Sequence, residues 1–302
     1  MWQIIGAGAI GCLWAANLLR TGQKVHLISR KENTEQRLTY QDLNGEKTTW
    51  NCPNSTQLVC TNSPILVCVK AHQVEHALHQ HIHKISPKQV IILMHNGMGS
   101  AEQVVKLLPN NPIICATTAN ASLLKSPLNI KQTGLGITYL GAFNQQASVY
   151  SNLQVTLNNA LNNTHWCEDI EQKLWLKLLI NIAINPLTAV HNINNGKLKT
   201  QCYQHQIEQL ITEAMPVLDA LQLTFDKHML LTTINKVIEA TASNYSSMNR
   251  DIHFKRTTEN DNISGYLLKK ALQHHIETPL ITSLYEQVKT LESRLPALSS
   301  IE

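Results

Sequence analysis

"QIIGAGAIGCLWAANLLRTG", residues 3 to 22, decides how the first half of the chain folds. It opens as a short apolar strand, turns through Gly6, Gly8 and Gly11, and continues as an amphipathic helix ending near Gly22. This is G-x-G-x-x-G with a strand before it and a helix after it, the context the motif requires. Gly6 permits the tight turn, Gly8 lets the backbone approach a pyrophosphate, and Gly11 lets the helix pack closely on the strand. The helix N-terminus then offers free N–H groups to phosphate oxygens. The segment predicts the first strand and helix of a dinucleotide-binding domain.

Further along the chain the same alternation repeats. "KVHLIS" (24 to 29) predicts the next strand and ends at Arg30 and Lys31, where an NAD-selective protein carries an Asp or Glu for the ribose hydroxyls. Arg30 therefore points to NADP(H), while Glu32 close by keeps a ribose contact open as the alternative. Apolar runs at "PILVCVK" (64 to 70), "VIILMHNGMGS" (90 to 100) and "PIICATTANAS" (112 to 122) predict further strands, with helical patterns between them. Their short connections imply right-handed crossovers and a parallel sheet, hence an α/β domain. Ligands bind at the carboxyl ends of such strands, where Lys70, Asn96 and Ser122 fall. "ITYLGAFN" (137 to 144) and "QVTLNN" (154 to 159) read as later strands.

Between two strands, His72, His76, His79 and His83 share a helical face opposite Val74, Leu78, Ile82 and Ile85. The apolar face takes the core, so the histidines point at water and no metal is expected.

Composition narrows the class. The 302 residues suffice for about two domains, and 43% hydrophobic with 15% charged residues describes a globular chain. A formal charge of +4 without a Lys/Arg run argues against nucleic acid and suits a small anionic ligand. Seven cysteines form no C-x-x-C pair and read as reduced, intracellular thiols. The apolar segment Ile4 to Leu19 has no preceding basic residue and contains glycines, so it does not read as a signal peptide. The other long apolar run is broken by a lysine, asparagines and a proline, so no membrane span is expected.

That run is "LWLKLLINIAINPLTAVHN" (174 to 192), and it belongs to a half of the chain with helical periodicity throughout. The change of pattern places a domain boundary near residue 166, giving domains 1–166 and 167–302. Asp169 caps the first helix. Lys177, Asn181 and Asn185 recur at intervals of four, so their heads form one narrow stripe. Burying such groups without partners costs several kcal/mol, so the stripe must face a polar cavity or solvent. Pro186 should end or kink the helix. Asn195-Gly196 marks a turn, and long helices are expected from Cys202 to Leu221 and from Asp226 to Tyr245. Asn244, Ser246 and Ser247 lie at a helix end, and Glu259 precedes another apolar helix. Capping explains each of these as readily as a site does.

Together the segments "GAGAIG" (6 to 11), "VKAHQV" (69 to 74), "HNGMG" (95 to 99), "LWLKLLINIAINPLTA" (174 to 189), "NNGKL" (194 to 198), "ATASNYSSM" (240 to 248) and "RTTENDNISGYLL" (256 to 268) resemble the ketopantoate reductases, within the 6-phosphogluconate dehydrogenase-like group. The resemblance implies a Rossmann-like domain joined to an all-helical one, with the active site in the cleft between them. It implies NADPH-dependent reduction of 2-dehydropantoate to pantoate, with reduction of another branched 2-oxo acid or a non-catalytic NADPH-binding sensor as the alternatives, by a cytoplasmic monomer or homodimer with no nucleic-acid or membrane partner. By the same resemblance Lys177 is the catalytic lysine and Glu259 an acidic residue beside the reacting centre. Asn96, Asn181, Asn185, Asn195, Asn244 and Ser247 match substrate-binding positions. Gly6, Ala7, Gly8, Ala9, Ile10, Gly11, Arg30, Lys70, Asn96, Ser122 and Glu259 match cofactor positions. Ser264 stands where the family often has Asn.

Overall fold

The computed structural model describes residues 1–31 and 36–294. The chain divides into two compact units, one of Met1–His95 and Gly99–Lys173, the other of Asn96–Met98 and Leu174 onward. Glu32 lies outside the described residues.

In the first unit β1 (Trp2–Ile5) turns into α1 (Ala9–Arg20) and returns as β2 (Val25–Ile28). A hairpin of β3 (Arg37–Gln41) and β4 (Lys47–Asn51) precedes the short β5 (Asn54–Ser55) and then β6 (Ile65–Val67). Next come α2 (Val74–His79), β7 (Ile91–Met94), α3 (Ser100–Leu107) and β8 (Ile113–Thr118). The unit continues through β9 (Ala121–Ser126), β10 (Asn129–Gly134), β11 (Thr138–Ala142), α4 (Leu153–Ala160) and β12 (Thr164–Trp166).

Eight strands form one sheet in the order β12-β11-β8-β7-β6-β1-β2-β5. Neighbours from β5 to β8 run parallel, β11 is antiparallel to β8, and β12 is parallel to β11. The strands β1, β6 and β7 are buried along their whole length, as continuous apolar runs in a covered parallel sheet should be. The chain order reverses about β1, which has β2 on one side and β6 on the other. Such a switch point is where α/β sheets bind ligands. Leu13, Trp14 and Leu18 of α1 are fully buried in the core of this unit.

Two expectations are corrected. "QVTLNN" lies in the helix α4, not in a strand. Val155 and Leu157 imitate alternation, yet Leu157 and Ala160 are buried while Val155 is 57% exposed, which is helical periodicity. "PIICATTANAS" is not one strand: β8 stops at Thr118, and β9 starts a second sheet, β4-β3-β10-β9. Ser122 therefore lies on β9, four residues beyond the end of β8, and its hydroxyl donates to the carbonyl of Lys131 at 3.3 Å.

The four histidines are exposed, and Val74, Leu78 and Ile85 are buried behind them. Among the described residues no group of His, Cys, Asp and Glu is placed to hold a metal.

The second long element is α5 (Ile170–His191), capped by the Asp169 carboxylate, which accepts from the backbone N–H of Gln172 at 3.1 Å. The two compact units divide at Lys173/Leu174, within α5. The first turn of α5 belongs with the strands: a Cβ on Gly141 would lie 2.5 Å from that of Ile170, and the Lys173 ammonium sits 5.0 Å from the Tyr139 ring centroid. Of the two outcomes expected at Pro186, an end or a kink, α5 does not end there but runs on to His191. A mid-helix proline costs about 3 kcal/mol, but Ile182, Ala183, Ile184 and Leu187 are all buried and hold the helix across the missing bond. α5 is long and apolar enough to cross a membrane, but 61% of the qualifying window is buried inside the protein, which makes it a core helix.

Around it stand α6 (Gln201–Ala220), α7 (Lys227–Ala240), α8 (Ser247–His253), α9 (Ser264–Gln273) and α10 (Pro279–Ser293). They share one apolar core that includes Trp175, Leu179, Leu210, Ile234, Leu267 and Leu284. α7 stops at Ala240, short of the Tyr245 expected. Beyond it the carbonyls of Ala242 and Asn244 leave the helix to accept from the backbone N–H groups of Gly196 and Asn195, each at 2.9 Å.

Candidate active site

Three glycines shape the turn after β1, and packing separates their roles. Gly6 has φ +109°, and a Cβ on it would lie 2.9 Å from Val69 Cγ1. A Cβ on Gly11 would come within 1.9 Å of the Gly6 carbonyl oxygen, so any larger residue drives α1 off the strand. Gly8 is different, because nothing lies within 4 Å of the Cβ position there. Gly8 is also the N-cap of α1 and offers no side-chain cap to the first helical turn. Open space in front of uncapped N–H groups suits a pyrophosphate, so this turn fits the dinucleotide that the motif implies. Ala7, Ala9 and Ile10 complete it, half-buried. Arg30 is exposed two residues after β2, and Lys70 is half-buried three residues after β6. Both follow carboxyl ends of parallel strands, as expected; Ser122 comes four residues after the end of β8, on β9 of the second sheet.

In the second unit the stripe on α5 turns out to be neither solvated nor buried throughout. Lys177 and Asn181 are half-buried and Asn185 is buried, beside the core residues Trp175, Leu178 and Ile184. Loss of hydration pushes the Lys177 amine down to about 8, and the negative charge of Glu259 pulls it partly back up. The order of these causes follows from energy: removing an ammonium from water outweighs one nearby carboxylate.

Glu259 itself is only 7% exposed. Its carboxylate accepts from the Asn96 side-chain amide at 3.0 Å and makes no capping bond to the short 3₁₀ turn Asn260–Asn262 that follows. Asn96 is brought to it by the loop after β7, which Asn262 grips on both sides. The Met98 N–H donates to the Asn262 carbonyl at 2.8 Å, and the Asn262 amide donates to the Met98 carbonyl at 3.0 Å. Gly97 between them has φ +76°, and a Cβ there would be 2.5 Å from the Asn262 carbonyl oxygen. Lys177, Asn96 and Glu259 are thus gathered from three separate parts of the sequence.

Asn195 is buried; its amide donates to Thr241 Oγ1 at 2.9 Å, and its side-chain oxygen has no protein partner. Asn244 and Ser247 are exposed. For Ser246 the cap reading holds, since its hydroxyl accepts from the Asn249 N–H at 3.1 Å. Its second contact was not foreseen: Ser246 and Thr188 share a buried hydrogen bond of 2.7 Å. Thr188 also bonds the carbonyls of Ile184 and Asn185. The turn bearing Asn185 is thereby tied to the start of α8 and so to Ser247. Ser264 is 1% exposed with its hydroxyl unpartnered by protein.

A half-buried amine lowered to about 8, a carboxylate fixed by an amide, and a row of neutral amides can bind a polar carbonyl compound and deliver a proton to it. Known proteins agree with this chemistry. Residues 2–145 match the model of the ketopantoate reductase PanE/ApbA family, and residues 169–292 match that family's C-terminal model. The chain is 36% identical to the 2-dehydropantoate 2-reductase of Vibrio cholerae over 289 residues, covering 96% of this chain and 97% of that one. It is 34% identical to the 2-dehydropantoate 2-reductase of Escherichia coli O157:H7 over 294 residues, covering 96% and 94%. Its fold is similar to that of D-mandelate dehydrogenase in complex with NADH and anilino(oxo)acetate, with a TM-score of 0.87, 24% identity and coverage of 98% and 99%. With both halves of the chain matched in order, and relatives covered from end to end, this protein belongs to the ketopantoate reductase family.

Proposed function

We propose that the chain reduces 2-dehydropantoate to pantoate with NADPH, and that the constellation Lys177, Asn96 and Glu259 carries the chemistry. NADPH, when bound, supplies the hydride. The protein must then hold the ketone, protonate the oxygen on which charge develops, and retain the carboxylate. Lys177 is suited to the proton, because an amine pushed down to about 8 releases it more readily than an exposed lysine. Asn96, its amide held by Glu259, presents a fixed polar group. Asn181 and Asn185, one and two turns further along α5, can bind hydroxyl and carboxylate groups without neutralising the substrate's charge. Asn195, Asn244 and Ser247 extend this set. Arg30 is the residue assigned to the 2′-phosphate, and Lys70 assists at the cofactor.

The observation that carries this reading is the lowered Lys177 amine beside a buried carboxylate, within a chain of this family. The test is steady-state NADPH oxidation with a panel of 2-oxo acids. Ketopantoate should exceed straight-chain and aromatic 2-oxo acids in kcat/KM by at least about tenfold, which equals 1.4 kcal/mol of transition-state discrimination. Comparable turnover across the panel would replace the specific assignment with a general 2-oxo acid reductase.

A further inference from the structure

Three side chains of α10, Tyr285, Lys289 and Glu292, occur at intervals of four and three, so they project from one face of that helix. Each reaches the loop that carries Glu259. The Glu292 carboxylate accepts the backbone N–H of Thr258 at 2.7 Å. The Tyr285 carbonyl accepts from the Asn260 amide at 3.0 Å, and the Tyr285 hydroxyl donates to Asp261 at 2.8 Å. Lys289 bridges Asp261 and Glu292, at 3.1 Å to each. The contacts therefore grip residues 258, 260 and 261 and leave out residue 259. Glu259 turns the other way, to Asn96.

Exposed ion pairs such as Lys289–Asp261 contribute little to stability, about 0–1 kcal/mol. Glu292 is another matter, with a side chain only 11% exposed. A carboxylate withdrawn from water is retained only if it is bonded, and here its partners are the Lys289 ammonium and the N–H of Thr258, the residue before Glu259.

We infer that Glu292, supported by Lys289 and Tyr285, is a positioning residue that holds the Glu259 carboxylate in register with Asn96 and Lys177. The inference rests on the reading of Glu259 as an active-site carboxylate. Its effect on catalysis passes entirely through Glu259, which separates it from a residue that merely stabilises the fold.

The experiment is a double-mutant cycle on the full chain, with kcat/KM for ketopantoate as the readout. Glu292→Ala should lower kcat/KM by about tenfold or more, since small misplacements of a reacting group are expensive. Glu292→Gln, which keeps an acceptor for the Thr258 N–H, should restore most of that loss. In the Glu259→Gln background, Glu292→Ala should cause no further loss. Losses that multiply in the double variant would overturn the inference and leave Glu292 a structural residue. Wild-type kcat/KM in Glu259→Gln alone would instead overturn the underlying reading of Glu259, and the inference with it. Lys289→Met alters an exposed side chain and keeps the test open if Glu292→Ala fails to fold. It should lower kcat/KM in the wild type and not in the Glu259→Gln background, and multiplying losses there would again overturn the inference.

Discussion

Asn96 donates its side-chain amide to the carboxylate of Glu259 at 3.0 Å, although 163 positions separate the two residues in the chain. That one bond ties the loop after β7 to the loop before α9. Lys177 takes on its altered acidity beside the same carboxylate.

Lys177→Ala should lower kcat by roughly 10²–10⁴-fold, the contribution expected of a positioned acid, while NADPH binding stays nearly unchanged. Lys177→Arg should fail as well, because guanidinium holds its proton too firmly and is too broad for an ammonium's place. Stopped-flow single-turnover hydride transfer measures both. Wild-type-like transfer in Lys177→Ala would make this an ordinary helix lysine.

The pH profile follows from the same group. The acid is competent while protonated, and its folded value is lowered to about 8, so kcat/KM should fall as pH rises through that value. Removing the negative charge of Glu259 removes the effect that raises the amine, so in Glu259→Gln the basic limb should move to lower pH. That variant should remain folded and bind NADPH while its turnover or substrate binding weakens. An unmoved limb would separate Glu259 from Lys177 functionally.

Arg30→Ala should raise KM for NADPH and leave NADH almost unaffected, at a loss of about 1.5–3 kcal/mol for a charged hydrogen bond to the 2′-phosphate. Equal effects on both cofactors, measured by steady-state kinetics, would remove Arg30 from the phosphate site.

Gly97→Ala places a methyl group 2.5 Å from the Asn262 carbonyl oxygen at φ +76°. The backbone must shift, at about 1–3 kcal/mol, and Asn96 moves with it. Both Tm and kcat/KM should fall, measured by thermal unfolding and steady-state kinetics. An unchanged kcat/KM would mean that Asn96 need not be held so closely.

What could be read from the sequence was local in origin. The glycine turn is a strand, three spacings and a helix within twenty residues. The stripe of Lys177, Asn181 and Asn185 announces itself by the helical interval alone. The strands β1, β2, β6 and β7 are apolar runs that a covered parallel sheet requires. By contrast, the bond from Asn96 to Glu259 and the grip of Asn262 on Met98 depend on long-range tertiary pairing that no period encodes. "QVTLNN" misled because Val155 and Leu157 satisfy alternation while the helical pattern from Leu153 to Ala160 is only eight residues long. The second sheet did leave a trace: Arg37–Asn51 alternates about Asn44-Gly45, a hairpin signal, and β3 and β4 form there.

Met98 is a core residue of the helical unit, yet it is synthesised long before any of the helices it packs among. As the chain leaves the ribosome, Asn96–Met98 emerge with β7, while Asn262, their anchor, is still to be made. The helical unit therefore cannot complete its interior from its own contiguous sequence. The contact closes a loop of more than 160 residues, an entropic cost that grows only slowly with length. A fragment beginning at Leu174 would lack Met98 and leave a gap in the apolar core that this residue fills.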